Sequence, residues 1–130
     1  MTDPANEVLE AAAGLVAAYG AHDVERYFGA FAPDATFVFH TSPLPFRSRA
    51  AYRAEWAGWE AGGFHVLACR SSDQHVQAID TDVAVFTHRV ATHLRDADGE
   101  HDLLERETIV FRRAADGRWL GVHEHLSAAP

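Results

Sequence analysis

The sequence predicts an α+β fold in which helices come first and then cover one face of a curved, mainly antiparallel sheet. Three observations predict it. Apolar residues recur at helical spacing through the first half of the chain; from Phe64 onward they alternate with period two; and turn segments rich in Asp and Gly divide that second half into hairpin-linked strands. With 130 residues, 48% of them hydrophobic, the chain has the length of one domain and ample material for one core, so a single domain over 1–130 is expected.

The elements follow in order. Thr2-Asp3-Pro4 reads as a helix start, with Asp3 as the cap and Pro4 at the first helical position. Val8, Leu9, Ala12, Leu15, Val16 and Tyr19 form its apolar stripe, and Gly20 stops it. A short second helix starts at the cap Asp23 and turns Val24, Tyr27, Phe28 and Phe31 inward, until Pro33-Asp34 breaks it. Residues 35–40, β-branched and aromatic, predict a strand, and the closely spaced prolines of 41–45 a loop. A third helix runs from the cap Ser48 to Gly62-Gly63, with Tyr52, Glu55, Trp56 and Trp59 on one side. Strands are then expected over 64–70 and 75–79, separated by a break at Ser71-Ser72-Asp73, and over 83–95, 102–113 and 118–127. Asp96–Gly99 and Ala114–Gly117 are the hairpin turns between the last three.

Composition excludes several classes of function. Eleven basic residues against 19 acidic ones leave a net charge of −8, the wrong sign for a nucleic-acid partner. The single Cys69 rules out an internal disulfide framework or a cysteine-based zinc site, and its neighbours are those of a buried thiol. No apolar run reaches membrane-spanning length and no signal-peptide pattern opens the chain, so a cytoplasmic location with no membrane partner is expected. There is no glycine-rich phosphate loop and no nucleophile elbow, so no cofactor is indicated. Nine histidines mean that mild acid could carry the formal charge from −8 to +1, and oligomeric state is expected to respond.

The last strands carry Arg106-x-Thr108-x-Val110, a turn at Asp116-Gly117, then Trp119-x-x-Val122-His123-x-His125-x-Ser127; upstream stand Asp23-x-Glu25-x-Tyr27, Pro33 and Thr36. This pattern resembles the SnoaL-like branch of the nuclear transport factor 2-like superfamily, and is similar to the association (hub) domain of calcium/calmodulin-dependent protein kinase II. The resemblance implies a cone-shaped fold around an inner pocket, usually in a homodimer. It also implies what the pocket lacks. Phe39 stands where ketosteroid isomerases of the superfamily carry a catalytic aspartate. Val90, Ile109 and Leu126 stand where the hub carries carboxylate-binding arginines. The fold hosts many chemistries and some non-catalytic domains, so chemistry must be argued from the site.

Period two sorts the strand residues into faces. Leu103, Glu105, Glu107 and Phe111 share a face with Ile109; Leu120, Val122 and Glu124 with Leu126; Ala84, Phe86, His88 and Thr92 with Val90. If these are the pocket faces, the cavity is apolar with Glu107, Glu124 and His88 as its polar groups, and Tyr27, Phe39, His40 and Trp56 around its mouth. Two desolvated carboxyls and an imidazole suit general acid–base catalysis, with His88 orienting substrate or stabilising an oxyanion. The ordinary structural alternative pairs the glutamates with Arg89, Arg106 or Arg112 across strands, and makes Tyr52, Trp56 and Trp59 core packing.

His123-x-His125 points two imidazoles the same way and invites a metal, with His93 or a partner's histidine completing the site. The Trp119/Gly121/His123/His125/Ser127 face, however, is read as lying opposite the pocket. The leading expectation is therefore a cofactor-free isomerase, cyclase, dehydratase or related lyase acting on a small hydrophobic or aromatic molecule. The alternatives are a non-catalytic ligand-binding or association dimer, and a metalloenzyme built on His123 and His125.

Overall fold

The computed structural model describes residues 3–130, and Thr2 of the expected helix start lies outside them. The Asp3 side chain accepts a hydrogen bond from the Ala5 amide at 3.1 Å, and Pro4 opens helix α1 (Pro4–Gly20). Asp23 caps α2 (Val24–Gly29) in the same way through the Arg26 amide, and Ser48 caps α3 (Arg49–Ala61) through Ala51. The strands are β1 (Phe31–Phe39), β2 (His65–Ala78), β3 (Val83–Asp96), β4 (Gly99–Arg113) and β5 (Trp119–Ala128).

They form one sheet in the order β1-β5-β4-β3-β2. β2 to β5 are an antiparallel meander, while β1 joins β5 in parallel. The helices pack on one face of this sheet around an aromatic cluster. Phe28, Phe31, Phe37, Trp56, Phe86 and Phe111 are fully buried, and ring centroids stand 5.0–5.5 Å apart for Phe28–Trp56, Phe31–Phe37 and Tyr27–Trp56. Each such side chain contributes about 1.5–3 kcal/mol by leaving water.

Two boundaries depart from expectation. Phe31 belongs to β1 and not to the second helix, which ends at Gly29; Pro33 is accommodated because β1 is an edge strand, where a missing donor costs little. β2 does not break at Ser71–Asp73 but continues through a bulge. Ser72 pairs with Arg89 and His75 with Thr87, so two residues, Asp73 and Gln74, face the single His88. Asp73 absorbs the extra residue with φ 51°, a conformation that Asp tolerates.

A second bulge lies in β5. Val110 pairs with His123 but Phe111 pairs with Gly121, so Val122 is extra. The parity of β5 therefore flips at that point. Trp119 and Gly121 are buried on the core side, contrary to their assignment to the outer face, and Leu120 and Val122 are only half-buried. Beyond the bulge Glu124 and Leu126 point inward, with His123 and His125 on the other side, as expected.

Candidate active site

Between the helices and the sheet lies a cavity of about 470 Å³. Leu15, Val16 and Tyr19 of α1, Tyr27 of α2, Phe39 of β1 and Tyr52 and Trp59 of α3 form its helical side; Cys69, Val90, Thr92, Leu103 and Leu126 form much of its sheet side. Glu105, Glu107 and Glu124 project into this largely apolar space.

The register explains how the carboxyls meet. On the inner face Glu107 opposes His88 of β3 and Leu126 of β5, while Glu124, two residues from Leu126, opposes Ile109. Glu107 and Glu124 are thus diagonal neighbours, within reach of each other's long side chains. His88 Nε2 stands 2.7 Å from Glu107 Oε1, and the imidazole is fully shielded from solvent. His88 Nδ1 stands 2.5 Å from the Ser71 hydroxyl, which in turn accepts a hydrogen bond from Gln74 Nε2 at 2.9 Å. Glu124 Oε1 is buried and has no hydrogen-bond partner.

This environment divides the protons unequally. Burial, and then the charge of Glu107 beside it, push Glu124 well above the ordinary carboxylate range. Burial acts on Glu107 too, but hydrogen bonds from Glu124 and His88 outweigh it and hold Glu107 below its usual value. Of the two, Glu124 is the group whose protonated form this environment favours and Glu107 the one whose ionised form it favours. Glu105 is raised by burial, which the hydrogen bond of its Oε2 with His40 Nε2 at 2.6 Å opposes. Opposite the carboxyls, the Tyr27 and Tyr52 hydroxyls are 2.8 Å apart in a buried pair, and burial raises both phenols.

Of the residues singled out from sequence, the structure brings Glu107, Glu124, Tyr27, Phe39, Val90 and Leu126 together on the cavity wall. His88 does not reach the cavity; it stands behind Glu107. His40 also lies off the wall and touches Glu105. Trp56 and Ile109 are 1% and 0% exposed and belong to the core beneath the wall, because the period of a helix or a strand assigns a face but not a depth. The alternative of arginine pairs is not what Glu107 makes: it bonds to His88, and Arg112 lies 3.7 Å from Asp34.

Glu105, Tyr19, Tyr52, Trp59, Cys69, Thr92 and Ser71 were not among the candidate site residues. Glu105 and Thr92 were legible from strand parity. The His88–Glu107 pair was legible from the hairpin, since counting eight residues back from Asp96 and forward from Gly99 meets it.

His123 and His125 do not form a metal centre with His93. His123 Nδ1 is engaged with Thr36 Oγ1 at 2.8 Å, and His93 bonds to Asp102 and Glu100. His125 lies level with Thr108 and His93 with Asp102, about 20 Å apart along the strand. Among the described residues, no group of three His, Cys, Asp or Glu side chains is placed to hold a metal ion.

Helices laid on a curved sheet that encloses a cavity define the nuclear transport factor 2-like class of α+β folds. Residues 8–130 match the SnoaL-like domain, and the chain belongs to that family. Solved structures agree on the fold. An NTF2-like protein of unknown function from Rhodospirillum rubrum is 22% identical, with 95% of this chain and 98% of that one covered and a TM-score of 0.81. A ketosteroid isomerase-like protein from Erwinia carotovora atroseptica is 16% identical over the whole of both chains, with a TM-score of 0.83. The CaMKII hub of S. rosetta is 23% identical over 99% of each, with a TM-score of 0.78. No curated protein matches in sequence.

Proposed function

We propose that this SnoaL-like chain is a cofactor-free enzyme that moves a proton on a small hydrophobic or aromatic molecule, as an isomerase, cyclase, dehydratase or related lyase does. One observation carries the reading: two buried carboxyls, Glu107 and Glu124, are diagonal neighbours at the wall of an apolar cavity, where burial pushes Glu124 up while hydrogen bonds hold Glu107 down. Glu107, ionised and oriented by His88, is the base. Glu124, protonated and with Oε1 unpartnered, is the acid. Tyr27, Phe39, Val90 and Leu126 supply walls for an apolar substrate, and the Tyr27–Tyr52 hydroxyl pair is a donor for a developing oxyanion.

Carbon-13 NMR titration of the glutamate carboxyls tests this. One of the pair is expected to titrate far above the other. Ordinary titration of both, near 4, removes the acid–base role. Ligand affinity that survives both Glu107→Gln and Glu124→Gln, alongside such ordinary titration, would mark a binding module instead. Self-association through the outer sheet face has its support in Val38 and Leu104, 38% and 49% exposed there.

A further inference from the structure

β2 is an edge strand, and its bulge leaves Asp73 and Gln74 exposed opposite His88. Ser71 pairs with Val90, whose side chain lines the cavity, so the half-buried Ser71 stands on the inner face of the sheet beside that exposed edge. The ordered contacts Gln74–Ser71–His88–Glu107 run from the exposed strand edge to the buried carboxyl pair.

We propose that Glu107 and Glu124 exchange their proton with water at the exposed edge strand β2, through His88 and Ser71, and not through the cavity mouth. An apolar ligand filling the cavity displaces the water that would otherwise serve the carboxyls, so an acid–base pair there needs a second route. The hydrogen-bond directions allow one. An ionised Glu107 can only accept, which places the His88 ring proton on Nε2; Nδ1 then accepts from the Ser71 hydroxyl, which itself accepts from Gln74. Moving inward, Ser71 gives its proton to Nδ1 as Nε2 gives its proton to Glu107, and a hydronium at the strand edge restores the Ser71 proton and leaves as water. The reverse sequence returns one proton to that edge for each that entered.

The inference rests on the acid–base reading of the cavity, and one experiment separates the two. The carbonyl stretch of a protonated buried carboxyl is followed by infrared spectroscopy after rapid mixing with D2O at neutral pH, with Glu124→Gln to assign the band. If no such band exists, the acid–base reading and this inference both fail. If the band exists, Ser71→Val, which fits a strand but has no proton to pass, is expected to slow its deuterium shift about tenfold or more. Ser71→Thr, which restores the hydroxyl, is expected to keep the original rate and separates proton passage from mere packing. A Ser71→Val shift as fast as in the unaltered protein, including one complete within the mixing time, overturns the route through the sheet and leaves the acid–base reading standing. A Thr variant as slow as Val assigns the effect to packing and also overturns it.

Discussion

Replacing Glu124 with glutamine should make the protein more stable while removing its acid. Glu124 is 3% exposed, and its side chain meets a second carboxyl in an apolar cavity. Were both ionised, two charges about 4 Å apart at an effective dielectric of about 20 would repel by about 4 kcal/mol. Retaining a proton avoids that repulsion, but the folded state then forgoes an ionisation that the unfolded chain makes freely. Folded Glu124 keeps its proton at pH values where the unfolded residue, with its ordinary pKa of 4.5, has lost it. The native state binds more protons in that range, so stability falls as pH rises above about 4.5.

Glutamine has no proton to lose, and its amide can donate to Glu107 where the carboxylic acid did. The variant should match the original near pH 4.5 and exceed it at pH 8 by about 1–3 kcal/mol, less than the full repulsion because water and side-chain relaxation relieve part of it. Glu107, held low, contributes the opposite slope at lower pH in both proteins and cancels from the difference. Urea unfolding at a series of pH values measures this directly. A variant less stable at every pH, or offset by a constant amount, would refute the argument that Glu124 holds the proton of the pair.

Other consequences are equally direct. A Cβ at Gly121 would stand 2.7 and 2.9 Å from ring carbons of Phe31 and 3.4 Å from Ile109, so Gly121→Ala is expected to cost about 1–3 kcal/mol in urea unfolding, and an unchanged midpoint would contradict the close packing there. Burial pushes the Cys69 thiol up to about 11 from 9.0, so alkylation by iodoacetamide at neutral pH should run about 100-fold slower than in urea-unfolded protein; equal rates would show the thiol to be free in solvent. Light-scattering mass should change between neutral and mildly acidic pH as the histidines take the formal charge from −8 toward +1, and a constant mass across that range would reject the charge argument.

Much of the fold was legible because its signals are local. The caps Asp3, Asp23 and Ser48 act on amides two or three residues away, and the turn at Asp96–Gly99 sets the whole β3–β4 register by simple counting. Alternation along β3 and β4 therefore sorted His88, Val90, Glu105 and Glu107 correctly. It failed for Trp119 and Gly121 because a bulge inserts one residue and reverses parity, and Val122 carries no mark of being that residue.

The sequence by itself determined the α+β order, the inward faces of β3 and β4 and two of the three carboxyls, Glu107 and Glu124, that the apolar cavity holds. Only the tertiary structure decided that Glu107 and Glu124 are diagonal neighbours, that His88 backs Glu107 without reaching the cavity, and that Ile109 and Trp56 lie beneath its wall. Face is a property of one strand's period. Depth and proximity depend on where other strands cross it and where they bulge, and those are settled by packing across residues far apart in the chain.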